Sequence, residues 1–502
     1  MIAPVLLAAA LSGALAADSV PVLDPATVDW TPIGVETAEL LSAYLQVDTI
    51  NPPGHELRGA RFLAEWLATQ GIESTIDEYV PGRANLWARV EGTSDAPPIC
   101  LLSHIDVVPA EEDRWTHPSM SGHIDADGVV WGRGALDMKG MGAIEAMTLA
   151  LVRRLPVPLE RDVVLLAVAD EEVDNTGIRA AIDRWDEIGC SHVVNEGGMG
   201  LDSLLFDGQV MFPISVGEKG FLWGEVVATG KPGHGSVPVA ETAPERLVRA
   251  YIAIAERKVK PTWDPAMLEL LHNVGEHKGG MAGFVLKRPV LVKTLLRGQL
   301  MGDPIIRATL IDTANLTGFD GALEPNVVPA TVTANLDSRL LPGTTPESMR
   351  LRLDQIVEDA GVEGVQVVAR SSTPGGVSPW DDPFYEALAR RAVEGMPEAV
   401  AGPALSPGFT DSIYLREMGV RAYGLMPVVV DEDGLRSMHG DNERVSTANL
   451  ERGVRVLFSA VTDVCQGTDG HWEGEPTPLP RPTWDVPVLP DGTDAPAPDN
   501  GH

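Results

Sequence analysis

Cysteine is the residue this sequence has least of, and positive charge falls well short of negative. Its three cysteines, Cys100, Cys190 and Cys465, are too few and too scattered for a disulfide framework. Cys100 lies in an apolar run and reads as a small buried hydrophobe rather than a reactive thiol. Lys and Arg number 38 against 72 Asp and Glu, a formal charge of −34 in 502 residues. That deficit argues against nucleic acid and anionic membrane surfaces as partners, because both reward clustered cations. No internal repeat is present. The apolar run at residues 5–11 is too short to span a bilayer. It is followed by A-L-A-A at 14–17, and it suits a secretory signal over residues 1–17, although a basic segment before it is missing. Export, to a periplasm or beyond the cell, is the expectation.

An ordinary hydrophobic content of 44% and this length point to a globular protein of two domains. Buried strands alternate with helices over residues 30–213 and again over 374–465, as in an α/β domain with a mostly parallel sheet flanked by helices. Residues 214–373 read as a smaller α+β insertion in it, with 261–318 resisting assignment. From 466 to 502 the chain is rich in Pro, Asp and Gly and short of aliphatics, a composition expected to be a disordered tail.

The chemistry-bearing residues recur at one kind of place. The stretch L-L-S-H-I-D-V-V-P at 101–109 reads as a strand end carrying His104 and, on the same side, Asp106. An Asp so placed can accept the second ring N–H of the His and fix which nitrogen faces a metal. Asp137 follows W-G-R-G-A-L at 131–136 and precedes a helix; alone it would read as an N-terminal helix carboxylate. The apolar run 163–169 ends in D-E-E-V at 170–173, and a strand at 191–195 ends in E-G-G at 196–198. Together with His439, in M-H-G-D-N-E-R at 438–444, these place His104, Asp137, Glu171, Glu172 and Glu196 along one sheet edge, where open α/β sheets bind ligands. Imidazoles and carboxylates without thiolate suit Zn²⁺, Co²⁺ or Mn²⁺. The number of ligands suits two ions rather than one. Of the adjacent Glu171 and Glu172, one is expected to ligate and the other to act as general base.

In order, these motifs, with G-H-G-S at 233–236 and E-P-N-V-V-P at 324–329, resemble the co-catalytic zinc metallopeptidases and amidohydrolases that include carboxypeptidase S, glutamate carboxypeptidase, succinyl-diaminopimelate desuccinylase and aminoacylase-1. The resemblance covers about residues 35–465 and is nearest to the carboxypeptidase S branch, which includes enzymes cleaving N-acyl amino acids. It implies a zinc-exopeptidase-like catalytic domain with an inserted lid or dimerisation domain, and two Zn²⁺ per subunit. Asp137 would bridge them, with His104 and Glu196 on one ion and Glu172 and His439 on the other. Glu171 would be the base, and Asp106 would orient His104. His234 would stabilise the oxyanion, in some relatives across a homodimer formed through the inserted domain. Asn326 and Arg339 match positions that hold the substrate carbonyl and carboxylate, and Gly408 a loop lining the pocket. The implied activity is hydrolysis of an amide bond next to a free carboxylate, in short peptides or N-acyl amino acids. A succinyl, carbamoyl or other non-peptide amide stands as the alternative substrate, and a secreted metal-dependent binding protein as the alternative without catalysis. Among the remaining histidines, His117 reads as a loop residue, with lining of the substrate entrance as its alternative, and His192 reads as a satisfied residue near a strand.

Overall fold

A computed structural model describes residues 24–321 and 324–466. The expected signal segment and the expected tail beyond Gln466 lie outside the described residues. Taking the longer strands in chain order, β1 is Ser74–Val80, β2 Arg83–Val90, β3 Ile99–His104, β4 Val163–Val168, β5 His192–Asp202, β6 Val210–Glu218, β7 Gly220–Thr229, β8 Asn315–Asp320, β9 Thr331–Leu340, β10 Val365–Thr373, β11 Val400–Ser406 and β12 Arg421–Val430.

Eight of them make one sheet in the order β1-β2-β4-β3-β5-β12-β6-β11. The run β4-β3-β5-β12 is parallel throughout. Its strands are apolar without alternation: every residue of β3 and of β4 is buried, as required of strands covered on both faces. On one face lie helix α1 (Trp30–Leu45), helix α2 (Glu56–Thr69), helix α3 (Lys139–Arg154) and, later in the chain, the closing helix Thr447–Cys465. Ser446 caps that closing helix by accepting from the Asn449 N–H, which satisfies one of the orphan donors of its first turn. A mostly parallel sheet flanked by helices is the architecture expected from the alternation of buried strands and helices.

The second sheet is four-stranded, antiparallel and ordered β8-β9-β7-β10. Helices Ala243–Ala255 and Pro346–Asp359 cover it through Leu247, Ile254, Leu353 and Val357. The first of these helices opens with a capping box between Thr242 and Glu245. Residues 261–318, which carry no legible period, fold largely into helices, among them Pro265–Lys278, Gly280–Leu286, Arg297–Gly302 and Pro304–Ala308. They pack on the edge of the main sheet at Met211 and Val400 rather than on the second sheet. Their mixture of Gly, Pro and cations hid a helical period.

Two readings of the chain need correction. Cys100 and Cys190 form a disulfide, with Cα atoms 5.8 Å apart, so Cys100 is not a free hydrophobe. The pairing arises because β3 and β5 are parallel neighbours with Cys100 opposite Val193, an adjacency that no local pattern encodes. Only Cys465 remains free, and it is buried. Glu196, expected at a strand exit, instead lies inside β5, which continues to Asp202. The glycines after it permit close strand approach: a Cβ on Gly198 would sit 2.0 Å from the Pro213 carbonyl oxygen. Among the described residues no helix is long and apolar enough to cross a membrane.

Candidate metal centre

Strand β3 delivers His104 at its last residue, 2% exposed. Its Nδ1 lies 3.0 Å from the main-chain oxygen of Asp106 and 3.6 Å from that residue's carboxylate. Both acceptors favour a proton on Nδ1 and leave Nε2 free for an electrophile. Nε2 faces Asp137 Oδ1 at 3.1 Å and Glu196 Oε1 at 3.9 Å. The other oxygen of Asp137, Oδ2, faces His439 Nε2 at 3.0 Å, and Glu172 stands 3.2 Å from that same nitrogen. One carboxylate thus presents each of its oxygens to a different imidazole, and each imidazole has a further carboxylate beside it. Glu171 joins the His104 and Glu196 side, with donor atoms of the three within 4.8 Å of one another.

Electrostatics show what this arrangement needs. Burial pushes the Glu171 and Glu196 carboxyls well up, and the charge of Glu196 on the former and of Asp137 on the latter adds to it. Burial raises Glu172 too, against the opposing bond from His439. For Asp137, burial is outweighed by its two imidazole partners, which hold it below the usual range. His104 is raised because Asp106 and Asp137 overcome the effect of burial. His439 is pushed up to about 10, first by Asp137 and then by Glu172. Crowded, desolvated acids interleaved with imidazoles are costly as they stand and favourable around divalent cations. The donor set is therefore a fit to such ions.

Residues around this cluster fix its geometry, and several carry no sequence signal. The carboxylate of Asp106 accepts the main-chain N–H groups of both Glu171 and Glu172 at 3.2 Å, and Asn51 Nδ2 at 2.9 Å. Asp106 thereby ties the acidic loop to the strand bearing His104, besides orienting the imidazole. Asn51 also donates to Asp170, which is paired with Arg83. Glu443, 0% exposed, accepts from the main-chain N–H groups of Gly134, Leu136 and Asp137 and from Arg133 Nη1 at 2.7 Å. Asp411, its carboxyl pushed up to about 7 by burial, accepts from Asn175. Asn51 reads only as part of a turn before two prolines. Glu443 falls inside the M-H-G-D-N-E-R stretch, where its acidity is the one available signal, and Asp411 follows the loop of Gly408 with no signal of its own.

The remaining expected residues are not brought into the cluster by any contact among the described residues. His234 is exposed and pairs across a short ladder with Val327, and its Nδ1 accepts from the Ser236 main-chain N–H. Asn326 is its neighbour through the Gly235 N–H. Arg339 donates from Nε and Nη2 to Asp337 at 2.8 and 3.1 Å and packs over Trp223 and Phe409. One edge of its fork is therefore taken by its own strand, and the Nη1–Nη2 edge stays open. Gly408 is exposed beside Phe409. His117 stacks on His123 with ring centres 4.0 Å apart, and His192 bonds Asp382 at 3.0 Å, a satisfied histidine as expected.

Residues 100–463 match the model of peptidase family M20/M25/M40. The chain belongs to that family. Human N-fatty-acyl-amino acid synthase/hydrolase PM20D1 is 28% identical over 374 residues, covering 72% of this chain and 73% of its own. Mouse aminoacylase-1 is 28% identical over 436 residues, covering 85% and 95%. Among solved structures, an M20 family metallo-carboxypeptidase from Sulfolobus solfataricus superposes with a TM-score of 0.63 at 20% identity, over 86% of this chain and 99% of that one. Another, from Bacillus subtilis, is described as a dinuclear metal-binding peptidase of the M20 family; it has a TM-score of 0.54 at 15% identity, over 86% of this chain and 99% of its own. As an M20 peptidase the protein is a metal-dependent hydrolase of peptides or N-acyl amino acids, and its larger sheet with the smaller one inserted is the M20 architecture.

Proposed function

We propose that this M20 enzyme is an exported two-metal amidase that releases amino acids from N-acyl amino acids, cutting the amide next to a free carboxylate. The observation that carries the reading is Asp137 facing His104 with one oxygen and His439 with the other. His104, Asp137 and Glu196 would hold one cation, and Asp137, Glu172 and His439 the other, with zinc the first choice and cobalt or manganese the alternatives. Bound there, the ions would polarise an amide carbonyl and acidify a water.

The chain's own residues account for the rest. Asp106 holds the His104 ring and both acidic residues after Asp170. Glu171, which the ligand assignment leaves free, takes the proton from the attacking water and returns it to the leaving amine nitrogen. Arg339 receives the product carboxylate on the open edge of its guanidinium. His234, exposed and without contact to the cluster in its own chain, is the group a second subunit would supply to the oxyanion. Export is supported by the Cys100–Cys190 disulfide, since such bonds persist in oxidising compartments.

Short peptides are the second substrate class, favoured by the likeness to a metallo-carboxypeptidase fold. A panel of N-acyl amino acids, dipeptides and carboxylate-blocked analogues, each with zinc, cobalt and manganese, separates the readings. Free-carboxylate N-acyl amino acids should turn over fastest and the blocked analogues least. Equal rates with and without the carboxylate would refute the placement of Arg339.

A further inference from the structure

The helices of residues 265–308 border apolar space, partly open to solvent, that packing does not fill. A cavity of about 180 Å³ lies between them and the main sheet, lined by Met211, Leu270, Leu271, Leu300, Leu405 and Pro407 among others. The one charged residue in that lining, Asp264, is engaged as a helix cap, accepting from the Ala266 N–H. A second cavity of about 290 Å³ shares Leu205, Leu271 and Leu300 with the first and runs outward beneath Met281. Interiors are close-packed, and apolar voids of roughly 150 Å³ stay dry and take up hydrocarbon.

The inner cavity approaches the cluster through Pro213, one of its lining residues, whose carbonyl oxygen lies against Gly198, two residues after Glu196. Pro407 is four residues from Asp411, so their Cα atoms are at most about 15 Å apart. Asp411 holds Asn175, which also donates to the main-chain oxygen of Glu171. The wall is pinned to the sheet by buried Lys219, whose Nζ donates to the carbonyls of Ala308 and Ile311. At the outer end Met281 is 78% exposed. Between Glu276 and Asp303 the chain has five Lys and Arg and no acid, a local reversal of a strongly negative protein that draws anionic amphiphiles.

We infer that this trough is the acyl subsite of the enzyme, taking the alkyl chain of a long-chain N-acyl amino acid whose amide lies at the metal cluster. The inference rests on the amidase reading for the identity of the head group, and on the cavities alone for the alkyl chain.

Two measurements test it. On metal-loaded enzyme, kcat/KM for N-acetyl-, N-octanoyl- and N-dodecanoyl-phenylalanine should rise by roughly fourfold per methylene until the trough fills. Leu300→Trp, and separately the half-buried Leu205→Trp, should lower the dodecanoyl-to-acetyl ratio at least tenfold. On metal-stripped protein, a fluorescent polyene fatty acid should bind, be displaced by dodecanoate, and bind at least tenfold more weakly to either variant. Alkyl binding that responds to both variants supports the trough even if no N-acyl amino acid is hydrolysed, a result that would instead remove the amidase reading. Turnover of N-acetyl substrates with a flat chain-length profile and no fatty-acid binding overturns the trough and leaves the amidase reading intact.

Discussion

Removing the disulfide by the paired substitution Cys100→Ala and Cys190→Ala tests a feature that ties together the two strands bearing His104 and Glu196. The bond closes a loop with a sequence separation of 90. In the chain-entropy model a loop of this size restricts the unfolded state by about 15 cal/mol/K, or about 4.6 kcal/mol at 25 °C. Both half-cystines are 0% exposed, so the lost sulfur contacts add to that figure while residual denatured-state structure subtracts from it. The paired variant should therefore unfold in urea with a free energy lower by about 3–5 kcal/mol. Unfolding in the presence of reductant should move the midpoint in the same direction. Alkylation after denaturation without reductant should modify Cys465 alone, and all three cysteines after reduction. A change under about 1 kcal/mol would refute the energetic role, and labelling of all three before reduction would refute the bond.

Three further outcomes follow from the geometry of the cluster. Glu171→Gln keeps shape and removes the base, so turnover should fall by roughly 10²–10⁴-fold or more while metal content is unchanged; near-normal rates would move the base elsewhere. Glu443→Ala leaves Arg133 buried and unpaired, at a cost of about 3–5 kcal/mol in unfolding free energy. It also frees the backbone that holds Asp137, so metal affinity should drop roughly 10–100-fold by titration. Because the metal-free His439 is held protonated up to about pH 10 by Asp137 and Glu172, cations must displace protons across the neutral range. Apparent affinity should then increase with pH, and calorimetry in two buffers of different ionisation enthalpy should show at least one proton released; buffer-independent heats would contradict this.

The residues that meet at the cluster are those whose local sequence is punctuated. His104 ends an apolar run, Glu171 and Glu172 follow another, and Asp137 comes between a glycine-rich loop and a helix. Such junctions converge on one edge of a parallel sheet whatever the strand order, so their meeting is legible without knowing it. What depends on strand order is not. The disulfide needs β3 beside β5, and Glu443 reaches the backbone of Asp137 across 306 residues of sequence. Asn51 joins Asp106 and Asp170 from a turn that looks like punctuation only. Strands β1, β6 and β11 have no legible strand pattern, because the first is polar at an edge and the other two contain an internal proline, Pro213 and Pro403, which ordinarily marks a strand break. The apolar trough is built by helices whose faces are legible only once the sheet edge they cover is known.

The central claim is that Asp137 bridges two cations, and the most direct test is a crystal structure of the zinc-loaded protein with anomalous scattering measured at the zinc edge. Two peaks about 3.5–4 Å apart, one contacted by His104 and Glu196, the other by Glu172 and His439, with Asp137 touching both, are the predicted result. A single peak at full zinc occupancy, or two peaks of which Asp137 touches only one, would contradict it.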